Sequence, residues 1–569
     1  MSWLSLNILL LLFVPNIFAV NDLGFIINST FPGLSNFTEF TDLGSWVPNS
    51  ESHNIGIRSQ RDSMNLITVD QLPQVGVILR DVLFHNEFIE NNKTEVINYA
   101  FIPQYEYLLD MLIWGIQTFV IDIEVSPKYT WVVKDTGYLF SDVMALFNDF
   151  VASTDTNLLA NVVTILLRVD PVMKVITPSN TTSPTNITNT TGSNSATTTT
   201  TIRINFDDNT FSKYPNLNIS AILDTNITRS FKYTPTDLIE DRARGGYVLQ
   251  SDNASAITGW PSLSNFLYYK KKRMIVAEIT DIFDNISPSY VFNNSVLHYD
   301  TKNGTIACPN TVEAYKNTSS ISFRYLESEF NEDDIASQVS CGYSPIISNT
   351  FTTSNISMLQ NLTEPAIIWS WGPGEPILTN STRHKKLMDL TADNCAAFEY
   401  SLFYSKAGWV VENCYEHKRA LCRSNYNGFT WVVTSNKDAY FEMEGYKGET
   451  KCPNGYSFSK PMTPLEQSAA LMFLKSEDVI DGSLWIDLNS ISVANCWVSD
   501  GAYAQCPYQR VFGTRNFVTM MVPISVCAFI LLCLATYLSL LRMPINDNRH
   551  KWEKIVSNYA KTEMEGVPS

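Results

Sequence analysis

Thr118-Phe-Val-Ile-Asp-Ile-Glu-Val125 is a continuous β-branched, apolar run broken only by two acidic residues near its end. A run of this length and composition suits a strand buried on both faces, which is the pattern of a parallel sheet. Val75-Gly-Val-Ile-Leu79, Asn161-Val-Val-Thr-Ile-Leu-Leu-Arg-Val169 and Met274-Ile-Val-Ala-Glu-Ile279 repeat it at long intervals. The gaps hold helix-like patterns such as Ser141-Asp-Val-Met-Ala-Leu-Phe-Asn-Asp-Phe150. Strands joined by crossovers follow, and with them an α/β layer or barrel fold.

The 569 residues are 45% hydrophobic and 17% charged, a globular composition with length for about two to four domains. A net charge of -17 repels phosphate, so no direct nucleic-acid partner is expected. At the N-terminus, Asn7 to Ala19 is an apolar run too short to span a bilayer and ending in a small residue. It reads as a signal peptide over residues 1–19. Phe517 to Leu541 carries no charge and, as a helix, is long enough for the hydrocarbon layer of about 30 Å. Arg542, Arg549, Lys551, Lys554 and Lys561 follow it, against Arg510 and Arg515 before it. The positive-inside rule then places residues 542–569 in the cytosol and makes the chain a single-pass type I membrane protein of the secretory pathway, N-terminal part lumenal or extracellular.

The residues between the two apolar segments fit that compartment. Asn-x-Ser/Thr triplets occur there at Asn28, Asn36, Asn92, Asn180, Asn186, Asn189, Asn218, Asn226, Asn253, Asn285, Asn293, Asn303, Asn317, Asn355, Asn361 and Asn380, each an expected N-glycosylation site. Eight cysteines, Cys308, Cys341, Cys395, Cys414, Cys422, Cys452, Cys496 and Cys506, form an even set suited to disulfides, whereas Cys527 and Cys533 fall in the apolar span. None precedes Cys308, so two kinds of domain are expected. The first, 20–350, relies on a large core, and the second, 351–510, on staples. A Ser/Thr/Asn-rich tract at 177–203 has nothing to bury and is expected to be a disordered, glycosylated insertion.

Trp260-Pro-Ser-Leu263 followed by Lys270-Lys-Lys-Arg273 and a strand, with Tyr233-Thr-Pro-Thr-Asp-Leu238 before it and Gly115-Ile-Gln-Thr-Phe-Val-Ile-Asp122, resembles phosphatidylinositol-specific phospholipase C-like phosphodiesterases. That resemblance covers roughly Ser59 to Asn349 and implies a TIM-type barrel. It also implies two histidines as general base and acid, after the first and second strands. Here those places read Arg58-Ser-Gln-Arg-Asp62 and Ile123-Glu-Val-Ser-Pro-Lys-Tyr129, with no histidine. His53, His85, His298, His384 and His417 match neither motif. Asp122 and Glu124 share one face at the C-terminal end of their strand, where a barrel keeps its site, and with Asp62 they are the candidate metal ligands. A salt-bridged or solvated strand end is the plainer reading of the pair.

Trp371-Gly-Pro-Gly-Glu-Pro376, Asn394-Cys-Ala-Ala397, Trp409-Val-Val-Glu-Asn-Cys414 and Ala420-Leu-Cys422 look like the second half of a C-type lectin-like domain. Cys452-Pro-Asn-Gly-Tyr-Ser-Phe458 and Leu484-Trp-Ile-Asp-Leu-Asn489 look like its opening half, in permuted order. The likeness implies an α+β fold and a pairing of Cys395 with Cys414. The calcium triplets of that family are missing at Glu375-Pro-Ile377 and Trp409-Val-Val411, so calcium-dependent sugar binding is not expected.

Arg58-Ser-Gln-Arg-Asp62 with Asp70-Gln-Leu-Pro73, Ser344-Pro-Ile-Ile-Ser-Asn349, Trp485-Ile-Asp-Leu-Asn-Ser-Ile-Ser-Val493 with Asn495-Cys-Trp497, Asn516-Phe-Val-Thr-Met-Met-Val-Pro523 and Glu565-Gly-Val-Pro-Ser569 resemble the fungal maintenance of telomere capping protein 6 family, nearly end to end. The resemblance implies a single-pass membrane protein with an indirect role in telomere capping. The residues favour a non-catalytic lumenal binding or scaffold protein without cofactor, whose partners are lumenal or cell-surface proteins or glycans. The alternative is a metal-dependent phosphodiesterase using Asp62, Asp122 and Glu124 on a phosphorylated lipid or glycan. A third reading is a cell-wall or glycoprotein-folding factor.

Overall fold

The structure is a computed structural model that describes residues 51–85, 103–126, 129–169, 173–176, 200–203, 214–244, 248–249, 254–255, 258–279, 297–299, 307–352, 354–378, 392–403, 406–444, 450–480, 482–508, 514–542 and 549–564. The expected signal peptide, most of the 177–203 insertion, His384 and eleven of the sequon asparagines, Asn28, Asn36, Asn92, Asn180, Asn186, Asn189, Asn253, Asn285, Asn293, Asn303 and Asn380, lie outside them.

The four apolar runs are neighbouring or near-neighbouring strands of one sheet. The strands in chain order are β1 (Gly76–Ile78), β2 (Thr118–Val125), β3 (Trp131–Val133), β4 (Val163–Val169), β5 (Met173–Ile176), β6 (Thr200–Arg203), β7 (Lys232–Tyr233), β8 (Val248–Leu249), β9 (Ala254–Ser255), β10 (Met274–Ile279), β11 (Leu297–Tyr299), β12 (Tyr325–Ser328) and β13 (Ser344–Ile347). The main sheet runs β11-β10-β4-β2-β1-β13-β12, with β7 beside β10 and β3 beside β2. Every pairing but β2 with β3 is parallel. Strands β4 and β12 stand four places apart, about 19 Å in a flat sheet, yet Arg168 of β4 bonds Glu327 of β12. The sheet is therefore curled. Among the described residues β11 and β12 do not pair with each other, so the arc is a partial barrel.

Helices cover its outer face because their apolar residues recur at helical spacing. In Phe140–Ser153 the residues Phe140, Val143, Met144, Phe147 and Val151 are buried, and Phe147 meets Phe119 of β2 edge to face at 5.0 Å. Inside the curl lies a polar layer, in which Thr118 donates to Gln74 at 2.8 Å and Gln74 receives a further bond from the half-buried Tyr325 at 3.4 Å. Gly76 is required there, since a Cβ would stand 2.8 Å from that of Thr118.

The second half adds β14 (Asp393–Ser401), β15 (Lys406–Asn413), β16 (Leu421–Ser424), β17 (Trp431–Val433), β18 (Tyr456–Phe458) and β19 (Ser483–Asn489). These make two three-stranded antiparallel sheets, β15-β14-β19 and β17-β16-β18. One hydrophobic core runs from Ile55 and the barrel strands through Trp369, Trp371 and Trp409 to Leu465, Leu488 and Trp497. The chain through Tyr508 is one compact unit, and the two expected domains share their interior across residue 350. The disulfides are Cys308–Cys341, Cys395–Cys414, Cys422–Cys452 and Cys496–Cys506, the first within the barrel half. The insertion differs from expectation at one edge: Thr200–Arg203 is not disordered but pairs antiparallel with Met173–Ile176, as its consecutive β-branched residues Thr200, Thr201 and Ile202 allow.

Residues from Gln509 on form a separate unit of two helices, Thr514–Arg542 and Arg549–Met564. Met521–Leu541 of the first is long and apolar enough to cross a membrane.

Candidate functional site

In a parallel barrel the C-terminal strand ends form the mouth, where sites are built. Asp122 of β2 and Arg168 of β4 are register partners there, both facing the interior. The Arg168 guanidinium lies 3.7 Å from the Asp122 carboxylate and pairs on its other side with Glu327 of β12. Asp122 is 4% exposed, and burial raises its carboxyl above the usual range against the opposing pull of Arg168 and Arg80. One Asp122 oxygen, Oδ2, has no hydrogen-bond partner among the described residues. Glu124, one pleat further on, receives the backbone N–H of Asp135 at 3.2 Å. Beside them Arg80 donates to Asp81 at 2.9 Å.

Asp62 is not part of this group. It ends the helix Glu51–Ser63, whose side chains reach the strand entrances. Arg61 donates to the carbonyls of Ala160 at 2.6 Å, Asn157 at 3.0 Å and Leu158 at 3.2 Å, all just before β4. The Tyr508 hydroxyl accepts from Arg61 at 2.7 Å and donates to Asp62 at 2.6 Å. Asp122 stands four residues above the start of β2, about 13 Å along the strand. The three candidate metal ligands thus divide between opposite ends of the barrel, because the Asp62 helix caps the strand entrances. No group of three His, Cys, Asp or Glu side chains fit to hold a metal occurs among the described residues.

The residues of Arg58-Ser-Gln-Arg-Asp62 between them hold several distant segments. Arg58 donates to the carbonyl of Asn495 at 3.0 Å, and Ser59 accepts the indole N–H of Trp371 at 2.8 Å. Gln60 donates to Ile367 at 3.0 Å and accepts from the Ser370 hydroxyl at 2.9 Å. The motif is a rivet between barrel floor and disulfide-rich half. Arg273, the last residue of the Lys-Arg run, is likewise spent on the floor, donating to Asn161 at 2.9 Å and Thr154 at 3.0 Å. Burial lowers its pKa to about 10.

In the disulfide-rich half, Asp487 of β19 accepts the backbone N–H groups of Asp500 at 3.0 Å and Gly501 at 2.9 Å, both left-handed residues of the loop that Cys496–Cys506 closes. Burial raises Asp487, and it lowers the neighbouring Lys460 amine. Glu375 of the Trp-Gly-Pro-Gly-Glu-Pro segment is turned inward, receiving the N–H of Ile377 at 2.9 Å and of Val411 at 3.4 Å.

Sequence reasoning passed over Arg168 and Glu327. Arg168 had a signal, as the lone charge inside an apolar run facing Asp122; Glu327 had none, since only the curl of the sheet brings it there. Of the sequon asparagines described, Asn317 and Asn361 are exposed, while Asn218 caps a helix by accepting from Ala221 and Asn226 and Asn355 bond local backbone.

Residues 47–369 match a family model described as the MTC6 partial TIM-barrel domain. Three similar relatives carry the name maintenance of telomere capping protein 6. One from Saccharomyces cerevisiae strain YJM789 is 39% identical over 551 residues, 95% of this chain and 96% of its own length. One from Vanderwaltozyma polyspora is 38% identical over 541 residues, 94% and 96% of the two chains. One from Zygosaccharomyces rouxii is 36% identical over 515 residues, 90% and 91%.

Proposed function

The chain belongs to the maintenance of telomere capping protein 6 family, and from that premise we propose that it is a single-pass type I membrane glycoprotein with a lumenal, non-catalytic binding or scaffold role. The observation that carries the non-catalytic part is Arg168, which lies between Asp122 and Glu327 at the barrel mouth. A guanidinium there occupies the position a divalent cation would take and neutralises the carboxylates that would hold it. Four disulfides and one apolar helix support a secretory, membrane-bound location. An influence on telomeres then passes through other proteins, because a lumenal part of acidic charge cannot grip DNA. The disulfide-rich half, lectin-like in motif but without calcium triplets, is the surface for a glycoprotein or glycan partner.

The test has three arms on the full chain. Electrophoresis should show a species heavier than 64.2 kDa that collapses after endoglycosidase treatment. Asp122→Asn with Glu124→Gln should leave function intact wherever folding and location are normal. Affinity capture with mass spectrometry should return lumenal glycoproteins.

The alternative, a metal-dependent phosphodiesterase, is favoured by one observation, the unpartnered Oδ2 of buried Asp122. Hydrolysis of a phosphodiester by the purified protein, abolished by that double change, would establish it and overturn the scaffold reading.

A further inference from the structure

The helix Arg549–Met564, which follows the apolar span after residues 543–548, has two unlike faces. Trp552, Ile555, Val556 and Tyr559 recur at i, i+3, i+4 and i+7, one side of an α-helix. All four are exposed, Trp552 at 65% and Val556 at 62%. Lys554 and Lys561 fall on the opposite arc, and Arg549 and Lys551 flank the apolar one. Arg549 and His550 both lean on Glu553, at 3.9 and 3.3 Å, and the helix keeps a net positive charge, with Arg549, Lys551, Lys554 and Lys561 against Glu553 and Glu563.

We propose that this helix lies in the plane of the membrane that Met521–Leu541 crosses, with Trp552, Ile555 and Val556 in the acyl boundary and its lysines against anionic lipid headgroups. Three features single out a lipid surface as the occupant. A Trp and a Tyr on the apolar face suit the interface, where a ring can be half dry and half wet. Lysines complement the negative surface of a cytosolic leaflet, adding attraction that falls off within a Debye length. The short tether to the span holds the helix close to the bilayer, so even weak insertion is favoured by high effective concentration. The proposal rests on the reading that Met521–Leu541 spans the membrane.

The experiment places the full chain in nanodiscs of phosphatidylcholine alone or with phosphatidylserine and follows tryptic cleavage at Lys551, Lys554 and Lys561. With phosphatidylserine, cleavage should slow at least about ten-fold, and Ile555→Asp with Val556→Asp should restore the fast rate. Lys551→Glu with Lys554→Glu should remove the lipid dependence. Equal rates in both lipids, in protein that enters the discs, would overturn the proposal while leaving the span intact. Failure to enter discs at all would overturn both. Protection that appears only when two copies share a disc would assign the face to a second copy of the chain instead.

Discussion

The floor and the mouth of the barrel are both crowded with charged and polar side chains, and they use them differently. At the floor, Arg61 is 4% exposed and its donors end on the carbonyls of Asn157, Leu158 and Ala160 in one short loop, on the Tyr508 hydroxyl and on the Asp62 carboxylate at 2.9 Å. At the mouth, Arg168 meets side-chain carboxylates, one of them on a residue whose side chain is 36% exposed. Bonds to backbone fix the path of the chain and leave no freedom to exchange partners. Side-chain ion pairs near water can be remade around a ligand at small cost. A polar motif bonded chiefly to backbone is therefore evidence of assembly, whereas side-chain pairs at the mouth keep the freedom to exchange partners.

The sharpest way to break this contrast is Arg61→Ala, which strands several buried carbonyls and Asp62. It should cost about 3–5 kcal/mol in chemical unfolding of the full chain, against a much smaller loss for Arg168→Ala. Equal losses at the two positions would erase the distinction. Next, Cys395→Ser should cost about 2–5 kcal/mol and cause retention in the secretory pathway, measured by thermal unfolding and by endoglycosidase sensitivity. Normal trafficking and stability would show that this half is held by the shared core alone. Tyr508→Phe removes one hydroxyl that serves both Arg61 and Asp62, so a loss of about 1–3 kcal/mol is expected.

The smallest effect belongs to the mouth. Burial raises the folded carboxyl of Asp122 above its unfolded value, so the native state binds the extra proton and its stability falls as pH rises through the interval between the two. Asp122→Asn lacks that fall. Its stability should match the parent at acid pH and equal or exceed it near neutrality, measured by chemical unfolding across that pH range. A parent that gains stability over the mutant as pH rises would mean that the Arg168 contact outweighs the burial cost.

Much of this was legible in the chain. Four apolar runs with β-branched residues gave parallel strands, because a strand covered on both faces has no polar side to show. The eight cysteines before the apolar span gave four bridges, and the chargeless stretch before Arg542 gave a helix of membrane length. Asp62 could not be separated from Asp122 by sequence, since both are acidic residues next to strand-like or helical runs. Only the helix capping the strand entrances puts them at opposite ends.

Composition and periodicity are local quantities, and they determined the local outcomes: strand, helix, staple and span. Which residues meet across hundreds of positions depends on how the sheet curls and what packs beneath it. Glu327 reaches Arg168 only through that curl, and Tyr508 reaches Arg61 only because the disulfide-rich half shares the barrel's core. The same side chains spread along an extended strand or loop would have been solvated acids and bases. Tertiary packing, by removing water from them and fixing their partners, decided which became rivets and which remained at the mouth.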